Sequence, residues 1–545
     1  MKKLICFLLL CALLFSLSAC GKDGTDVQVI YPIDTEPEYL DPQIASGSES
    51  ACIIAACFEG LMTVDENGEL VPAAAESFEV SPGGLNYTFH LRNDLRWRVT
   101  NTAAAILGDG KDSFDKQITA EDFVFGLRRA LQPETNSPAA PYLMAIKNAP
   151  EVFAGSKADS KLGVKAVDAL TLEIKLTRKD DGFLFALTLP GAMPCDQTYF
   201  EATHGRYGLS PEYFICNGPF YISNWNSGTA ITVRKTRKNM DSYRDPNDVY
   251  PASIYFSINN EQATRDAKLK SGTYEAAKLT AAQAAALSTE KKLSIRAFDN
   301  AVFGLLFNCS DPVLKSSSIR RAIAMTFNTA PMLEALALPQ AAGLVPPACL
   351  WGNKPFREQF ASAAWKTGSA KEAKTLLQSG MDALNLRDVE LTVLCSTAVE
   401  TAVRTVMQQW QSAFGVHFSI AVEALEETEL ENRVKSGEYQ MAFSTLTFSN
   451  TSALDTLLRF CSGRNGNVVR LNNEKYDALL QSISTAVYPK EASQAIRRAE
   501  QTLVEQAVIL PVAFTQTYLG FAKGVSGIGT NPTGDVLYFK HAVKE

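Results

Sequence analysis

Residues 369–447 alternate between helix and strand patterns, and this alternation restricts the fold more than any other feature. Ser369 and Glu372 have the spacing of a helix N-terminal capping pair, and we expect their helix to end before Gly380. Strand patterns follow at about 389–393, 416–420 and 441–445. Helix patterns separate these strands, so the order predicts a largely parallel sheet with helices on its faces.

The end of the third strand is a candidate binding region. In sheets of this kind, ligands bind beyond the carboxyl ends of the strands. The segment just after Phe443 occupies that place, and it is rich in polar residues. The sequence therefore predicts that part of a binding site follows Phe443.

The chain before this region has mixed α and β patterns. Apolar residues alternate at 87–91, 172–176 and 254–258, as on half-buried strands. Thr119 and Asp122 form a second capping pair, for a helix that ends before Pro133. The chain beyond residue 20 is too long for a single core, so we expect two or three lobes.

The first twenty residues have the pattern of an export signal. Lys2 and Lys3 precede an apolar stretch that is shorter than the ~20 residues of a membrane-spanning helix. Cys20 follows small residues, as in a bacterial lipobox, where the thiol is acylated; an ordinary cleaved signal is the alternative. The predicted segments are a lipoprotein signal peptide at 1–19 and a lipid-anchored linker at 20–26. We therefore expect the body to lie outside the cytoplasmic membrane.

Composition restricts the partners of this chain. The formal net charge is -7, which disfavours nucleic acid and anionic lipid headgroups. The eight cysteines after Cys20 contain no Cys-x-x-Cys spacing, so neither a zinc site nor a redox motif is indicated. Disulfides are possible in an exported protein, and buried free thiols are equally compatible with this sequence.

No catalytic pattern is recognisable. The four histidines, His90, His204, His417 and His541, are not at metal-ligand spacing. Neither a Gly-x-Ser-x-Gly elbow nor a Walker A loop is present. The pattern is typical of a binding protein that uses no metal and no cofactor. An exported hydrolase with an unrecognised carboxylate pair is the alternative from another class.

Short motifs spread along the chain resemble a known family. They are Leu40-Asp41-Pro42, Phe58-Glu59-Gly60-Leu61, Ile118–Phe125, Asn217-Gly218-Pro219-Phe220, Phe307-Asn308, Ile319–Ile323, Ser436–Tyr439 and Glu474–Leu480. In this order they resemble the oligopeptide- and dipeptide-binding proteins, which are extracytoplasmic solute-binding proteins (family 5) of ABC importers.

The resemblance implies a three-lobed, periplasmic-binding-protein-like (type II) α/β clam. Its two main lobes would contain mixed, largely parallel sheets, and its smaller lobe would be α+β. The implied boundaries are 27–58, 196–298 and 515–545 for lobe I, 59–195 for lobe II and 299–514 for lobe III. A peptide would be captured by hinge closure between lobes I and III. The lipid-anchored monomer would then deliver it to a membrane permease with ATPase subunits.

The resemblance also implies a binding site, because family members clamp an extended peptide mostly through main-chain groups. The aligned residues are Ser46, Gly47 and Ser48 on the lobe I rim, and Thr445, Leu446, Thr447, Phe448, Ser449 and Asn450 after a lobe III strand. In oligopeptide binders the second segment carries Trp-Cys-x-Asp, whose Asp pairs with the peptide ammonium. Here Ser449 falls at or beside that Asp, so we expect this contact to be absent or relocated. A non-peptide or modified-peptide solute is the alternative ligand.

Overall fold

The structure is a computed structural model of the 545-residue chain. It describes residues 27–110, 112–180, 182–236, 248–259, 261–289, 293–351, 354–448, 452–464, 466–485 and 489–544. Within these ranges, no helix has both the length and the apolar character that crossing a membrane requires. The predicted signal peptide, linker and Cys20 lie outside the described residues.

Seventeen helices are distributed along the described part of the chain. They are α1 (Ser48–Cys57), α2 (Asn101–Ile106), α3 (Ala120–Leu131), α4 (Ala149–Phe153), α5 (Phe183–Ala186), α6 (Gln197–Ala202), α7 (Gln262–Ser271), α8 (Ala281–Leu287), α9 (Ser317–Met325), α10 (Ala330–Leu336), α11 (Phe356–Gln359), α12 (Ala370–Leu384), α13 (Glu400–Phe414), α14 (Glu427–Ser436), α15 (Ala453–Leu458), α16 (Glu474–Thr485) and α17 (Pro489–Glu505).

The strands of the described residues form three larger sheets and four short two-stranded ones. The strands are β1 (Gln28–Ile33), β2 (Met62–Val64), β3 (Leu70–Pro72), β4 (Ala75–Val80), β5 (Asn86–Leu91), β6 (Val164–Asp168), β7 (Thr171–Lys175), β8 (Phe220–Asn226), β9 (Ala230–Lys235), β10 (Ser253–Ile258), β11 (Ala276–Leu279), β12 (Leu293–Phe307), β13 (Leu350–Trp351), β14 (Lys354–Pro355), β15 (Val389–Ser396), β16 (Phe418–Leu425), β17 (Met441–Thr447), β18 (Ile509–Ala522), β19 (Val525–Ser526), β20 (Gly529–Thr530), β21 (Leu537–Tyr538) and β22 (Val543–Lys544).

Two four-stranded sheets occupy the first half of the chain. The N-terminal sheet has the order β1-β10-β9-β8, in which only the β1–β10 pair is parallel. The hairpin sheet has the order β4-β5-β7-β6 and is antiparallel throughout. The strands predicted at 87–91, 172–176 and 254–258 are confirmed as β5, β7 and β10, although β7 ends one residue early. Helix α3 begins and ends as predicted, and the backbone N–H of Thr119 donates to Asp122 Oδ2 at 2.7 Å.

The central sheet has six strands in the order β11-β18-β12-β17-β15-β16. The pairs from β11 to β17 are antiparallel, and the pairs β17–β15 and β15–β16 are parallel. The predicted α/β fold with mixed sheets is therefore confirmed. Only two of the five strand pairs in this sheet are parallel, both at the end formed by the alternating region, so the sheet is mixed rather than largely parallel.

The strands β12 and β18 join two halves of the central sheet. The second half of β18 pairs with β11 on one edge and with the first half of β12 on the other, whereas β17 pairs with residues Ala301–Phe307 of β12. The register between β12 and β18 shifts between Phe298 and Ala301, at the boundary of the two halves. The division into lobes I, II and III stays a prediction.

Helix α12 departs from the sequence prediction at Gly380. Its capping pair is confirmed, since Glu372 N donates to Ser369 Oγ at 3.2 Å and Ser369 N donates to Glu372 Oε2 at 2.9 Å. The predicted end before Gly380 is wrong, because the helix continues to Leu384. A Cβ at residue 380 would lie 2.7 Å from Ile319 Cγ1 on α9. The glycine therefore permits close helix packing rather than ending the helix.

All eight cysteines of the described residues are free thiols, and all but Cys309 are buried. Burial raises the pKa of Cys52 and Cys216 to about 12, and it raises the pKa of Cys57 well above its ordinary value. Of the two possibilities that the sequence left open, the structure has free thiols.

Candidate functional site

The segment Ser46–Ser48 forms the entry to helix α1. Gly47 has φ +85°, in the region that favours glycine, and Ser48 is the first helical residue. Ser46 and Gly47 are exposed and Ser48 is half-buried. The Ser48 hydroxyl accepts a hydrogen bond from Lys278 Nζ on β11 and lies 3.1 Å from Glu49 Oε2. This segment is therefore fixed by polar contacts at the start of a helix.

Lys278 is surrounded by acidic groups. Burial lowers the pKa of Lys278, but the carboxylates of Glu49, Asp535 and Asp34 outweigh it and hold that pKa above its ordinary value. The ammonium is therefore charged at neutral pH and is balanced by its neighbours. The sequence analysis did not predict Lys278, since a lysine on a short alternating strand gives no functional signal.

The segment Thr445–Phe448 lies at the end of β17. One edge of β17 pairs with β12, where Thr445 is opposite Phe303. The other edge pairs with β15 only at Met441 and Ala442. Beyond Ala442, no described strand continues the ladder along this edge. Apart from the Thr447 carbonyl, which accepts from Arg459, the main-chain groups along this edge therefore have no described strand partner.

Side chains along this segment alternate in exposure. Leu446 and Phe448 are buried in the core, at 3% and 4% exposure, whereas Thr445 and Thr447 are half-buried. Leu446 could therefore meet a solute only through its main chain. Ser449 and Asn450, the last two predicted site residues, lie outside the described residues.

A C-terminal loop brings the two predicted segments together. Cys52 on α1 donates through Sγ to the carbonyl of Asp535 at 3.7 Å. Asn300, at the register shift of β12, donates through Nδ2 to the carbonyl of Thr533 at 2.9 Å and to that of Phe448 at 3.4 Å. The start of α1 and the end of β17 therefore flank the loop that contains Thr533 and Asp535, and we call this region the candidate site.

Two further residues belong to the candidate site and were missed from the sequence. Arg459 Nη1 donates to the carbonyl of Thr447 at 3.0 Å, and its guanidinium carbon lies 5.6 Å from the ring centroid of Phe448. Tyr142, in the 3₁₀ turn Ala140–Leu143, lies near Arg459. Burial, with a contribution from Asp455, raises the pKa of Tyr142 to about 12, so its hydroxyl is protonated at neutral pH.

These two residues gave no signal that sequence reasoning could use. Arg459 follows a short helix, and Tyr142 is more than three hundred positions earlier in the chain. Only the folded chain brings them together. Among the described residues, no cluster of His, Cys, Asp or Glu side chains is arranged to hold a metal ion.

The fold is periplasmic-binding-protein-like (type II). It is defined by the mixed sheets, by the strands β12 and β18 that join the two halves of the central sheet, and by the site beside their register shift. A family model described as "Bacterial extracellular solute-binding proteins, family 5 Middle" matches residues 69–468. The chain belongs to this solute-binding family.

Relatives of the chain are similar over nearly their whole length. The chain is 27% identical over 526 residues to the probable deoxycholate-binding periplasmic protein YgiS of Escherichia coli, covering 94% of this chain and 92% of YgiS. It is 24% identical over 554 residues to the oligopeptide-binding protein OppA of Bacillus subtilis, covering 96% of each chain.

Solved structures have the same fold. The substrate-binding domain of an oligopeptide ABC transporter from Bacillus anthracis has a TM-score of 0.76 at 24% identity, over 96% of this chain and 100% of that one. The murein tripeptide-binding protein MppA of Escherichia coli has a TM-score of 0.73 at 22% identity, covering 95% and 98%. The unliganded open form of MppA, at 22% identity and with 95% and 97% coverage, has a TM-score of 0.59.

Proposed function

We propose that this protein is the extracytoplasmic substrate-binding component of an ABC importer and that it captures peptides in the candidate site. Closure between lobes I and III would trap the solute, and a membrane permease with its ATPase subunits would accept it. The protein acts as a monomer and catalyses no reaction on its solute. A lipid on Cys20 tethers it to the outer face of the cytoplasmic membrane.

The free edge of β17 is the observation that carries this proposal. An extended peptide can add to such an edge through main-chain hydrogen bonds, which give affinity without reading side chains. The half-buried hydroxyls of Thr445 and Thr447 lie along the same strand. Ser46–Ser48, across the loop with Thr533 and Asp535, would supply the opposite side of the clamp.

A closed arrangement of the lobes is consistent with two observations. A Cβ on Gly182, in predicted lobe II, would lie 3.8 Å from Ser452 Cβ in predicted lobe III. The TM-score is also higher against MppA than against its unliganded open form. Solute binding would shift the protein toward this closed state, because the solute contacts both sides only there.

Calorimetry and small-angle scattering with Ala-Ala-Ala test this proposal. We expect binding to reduce the radius of gyration, and methylation of the peptide nitrogens to lower affinity about tenfold, since it removes main-chain donors. N-acetyl-Ala-Ala-Ala should bind nearly as well as the free peptide, because Ser449 stands at or beside the usual Asp. Catalytic turnover of the peptide, or a radius of gyration that does not respond to binding, would contradict the proposal.

A non-peptide solute is a second candidate, and one observation favours it. YgiS, whose name describes a probable deoxycholate-binding protein, is 27% identical over 94% of this chain. The same transport role would then apply to an amphipathic acid. Binding of deoxycholate with no measurable binding of Ala-Ala-Ala would select this candidate.

A further inference from the structure

Arg459 is held in a fixed orientation at the end of β17. Its Nε donates to the carbonyl of Gly466 at 2.8 Å, and its Nη1 donates to that of Thr447 at 3.0 Å. The aromatic ring of Phe448 lies against the guanidinium. Two carbonyls and one ring therefore fix the plane of this half-buried cation beside the candidate site.

The donors of Arg459 are only partly used. Nη2 reaches no acceptor among the described residues, and Arg459 forms no ion pair with a described carboxylate. The hydroxyl of Tyr142 also has no hydrogen-bond partner within the described ranges. Two neighbouring donors therefore have no acceptor among the described residues.

Arg320 is an arginine whose nitrogens are all satisfied by the protein. It is 3% exposed and, like Arg459, forms no ion pair with a described carboxylate. Its three nitrogens donate to the carbonyls of Leu314, Lys315, Gln506 and Ala507. Every nitrogen of Arg320 therefore has a protein acceptor, whereas Nη2 of Arg459 has none among the described residues.

We propose that Arg459, with the hydroxyl of Tyr142, binds a carboxylate of the solute. A guanidinium presents parallel N–H groups that match the two oxygens of a carboxylate. The inference rests on the proposed function, since it assumes that the solute lies along the end of β17. The charged group of the solute that contacts the protein is then a carboxylate, whereas the sequence analysis considered only the ammonium of a peptide.

A carboxylate could come from two sources, the C-terminus of a peptide or a non-peptide acid. Calorimetry at pH 7 with three compounds separates them: Ala-Ala-Ala, its C-terminal amide, and deoxycholate below its micelle-forming concentration. We expect the wild-type protein to bind one of the acids and to discriminate about ten- to a hundredfold against the amide when the peptide is the solute.

Variants assign this discrimination to Arg459. We expect Arg459→Gln to weaken binding of the acid about ten- to a hundredfold and to leave amide binding unchanged. Arg459→Lys should recover part of the affinity for the acid, because it restores the charge without the planar fork. Arg404→Gln is the control, since it removes the same charge from an exposed pair with Glu400 on α13.

The possible results test the carboxylate contact and the proposed function separately. Equal binding of Ala-Ala-Ala and its amide by the wild-type protein overturns the carboxylate contact and leaves the proposed function standing. Equal loss of both peptides in Arg459→Gln also overturns it, since it indicates a structural role. If the wild-type protein binds none of the three compounds, the carboxylate contact and the proposed function both fail.

Discussion

Arg129 and Arg459 lie in two regions that give the guanidinium different partners. The Arg129 side chain is buried, and the Arg459 side chain is half-buried. Arg129, on α3, donates to both oxygens of Asp41, at 2.7 and 3.3 Å, and also to Gln43 Oε1 at 2.7 Å. The side chains of Arg129 and Asp41 are only 7% and 4% exposed. Arg459 has two carbonyl acceptors and no described carboxylate.

The difference separates a cation that holds the scaffold from one that is available to a solute. Removing one partner of a buried ion pair leaves an uncompensated charge and is strongly destabilising. Removing a cation that the protein leaves partly unsatisfied costs the fold little and costs the solute its partner. Stability and affinity should therefore respond oppositely to substitution in the two regions.

The largest effect is expected for Asp41→Asn. This change leaves the Arg129 guanidinium buried without its carboxylate, and we expect the free energy of unfolding to fall by about 3–5 kcal/mol. Urea denaturation measures the loss, with Arg404→Gln as the exposed control. A loss below about 1 kcal/mol would show that Gln43 and the aromatic ring of Phe200, 3.7 Å away, suffice to hold the guanidinium.

Arg459→Gln should give the opposite result. We expect affinity for an acidic solute to fall about ten- to a hundredfold, while the free energy of unfolding falls by no more than about 1 kcal/mol. The stability loss is small because only two hydrogen bonds to main-chain carbonyls and one contact with the Phe448 ring are removed. Calorimetry and urea denaturation of the same preparation provide both numbers. A stability loss as large as that of Asp41→Asn would remove the distinction between the two regions.

Tyr142→Phe should have a smaller effect of the same kind. It removes one neutral donor beside Arg459 and retains the ring, so we expect a loss of affinity of about threefold to tenfold. Thermal denaturation should not change, because the hydroxyl has no described protein partner. A lower melting temperature in this variant would reveal a structural role for the hydroxyl.

The smallest effect is expected for His541→Gln. The His541 ring lies 2.8 Å from Glu66 Oε2 in a partly exposed pair, and this hydrogen bond holds the pKa of Glu66 below its ordinary value. We expect a loss of about 0.2–1 kcal/mol at pH 7, as for other exposed pairs. Because the Glu66 pKa is lowered by folding, the contribution is lost as the pH falls through that pKa. Denaturation of both proteins at pH 7 and pH 3 should show curves that converge at the lower pH.

The motifs that suggested the fold hold the scaffold together. Asp41 of the first motif pairs with Arg129 on the helix that begins in the third motif. Asn217 exchanges two hydrogen bonds with the backbone of Glu59, at 3.0 and 2.9 Å, which joins two other motifs. Scaffold contacts of this kind require particular residues, so the fold could be predicted from short segments of sequence.

Only part of the candidate site could be predicted from the sequence. Thr445–Phe448 could be found because strand order places a site at the end of a strand. Arg459, Tyr142 and Lys278 reach the site from distant parts of the chain, and none belongs to a motif or a periodic pattern. Gly380 was misinterpreted because a glycine near a helix end and a glycine at a helix contact are identical in sequence.

The buried thiols can report local opening of the protein. Thiolates, not thiols, react with alkylating reagents, and burial keeps Cys52 and Cys395 protonated and enclosed at 1% and 0% exposure. Labelling of each cysteine therefore waits for its own surroundings to open. The labelling rates of Cys52 on α1 and Cys395 on β15 would therefore report the opening of two regions separately, in the native chain and without any introduced probe.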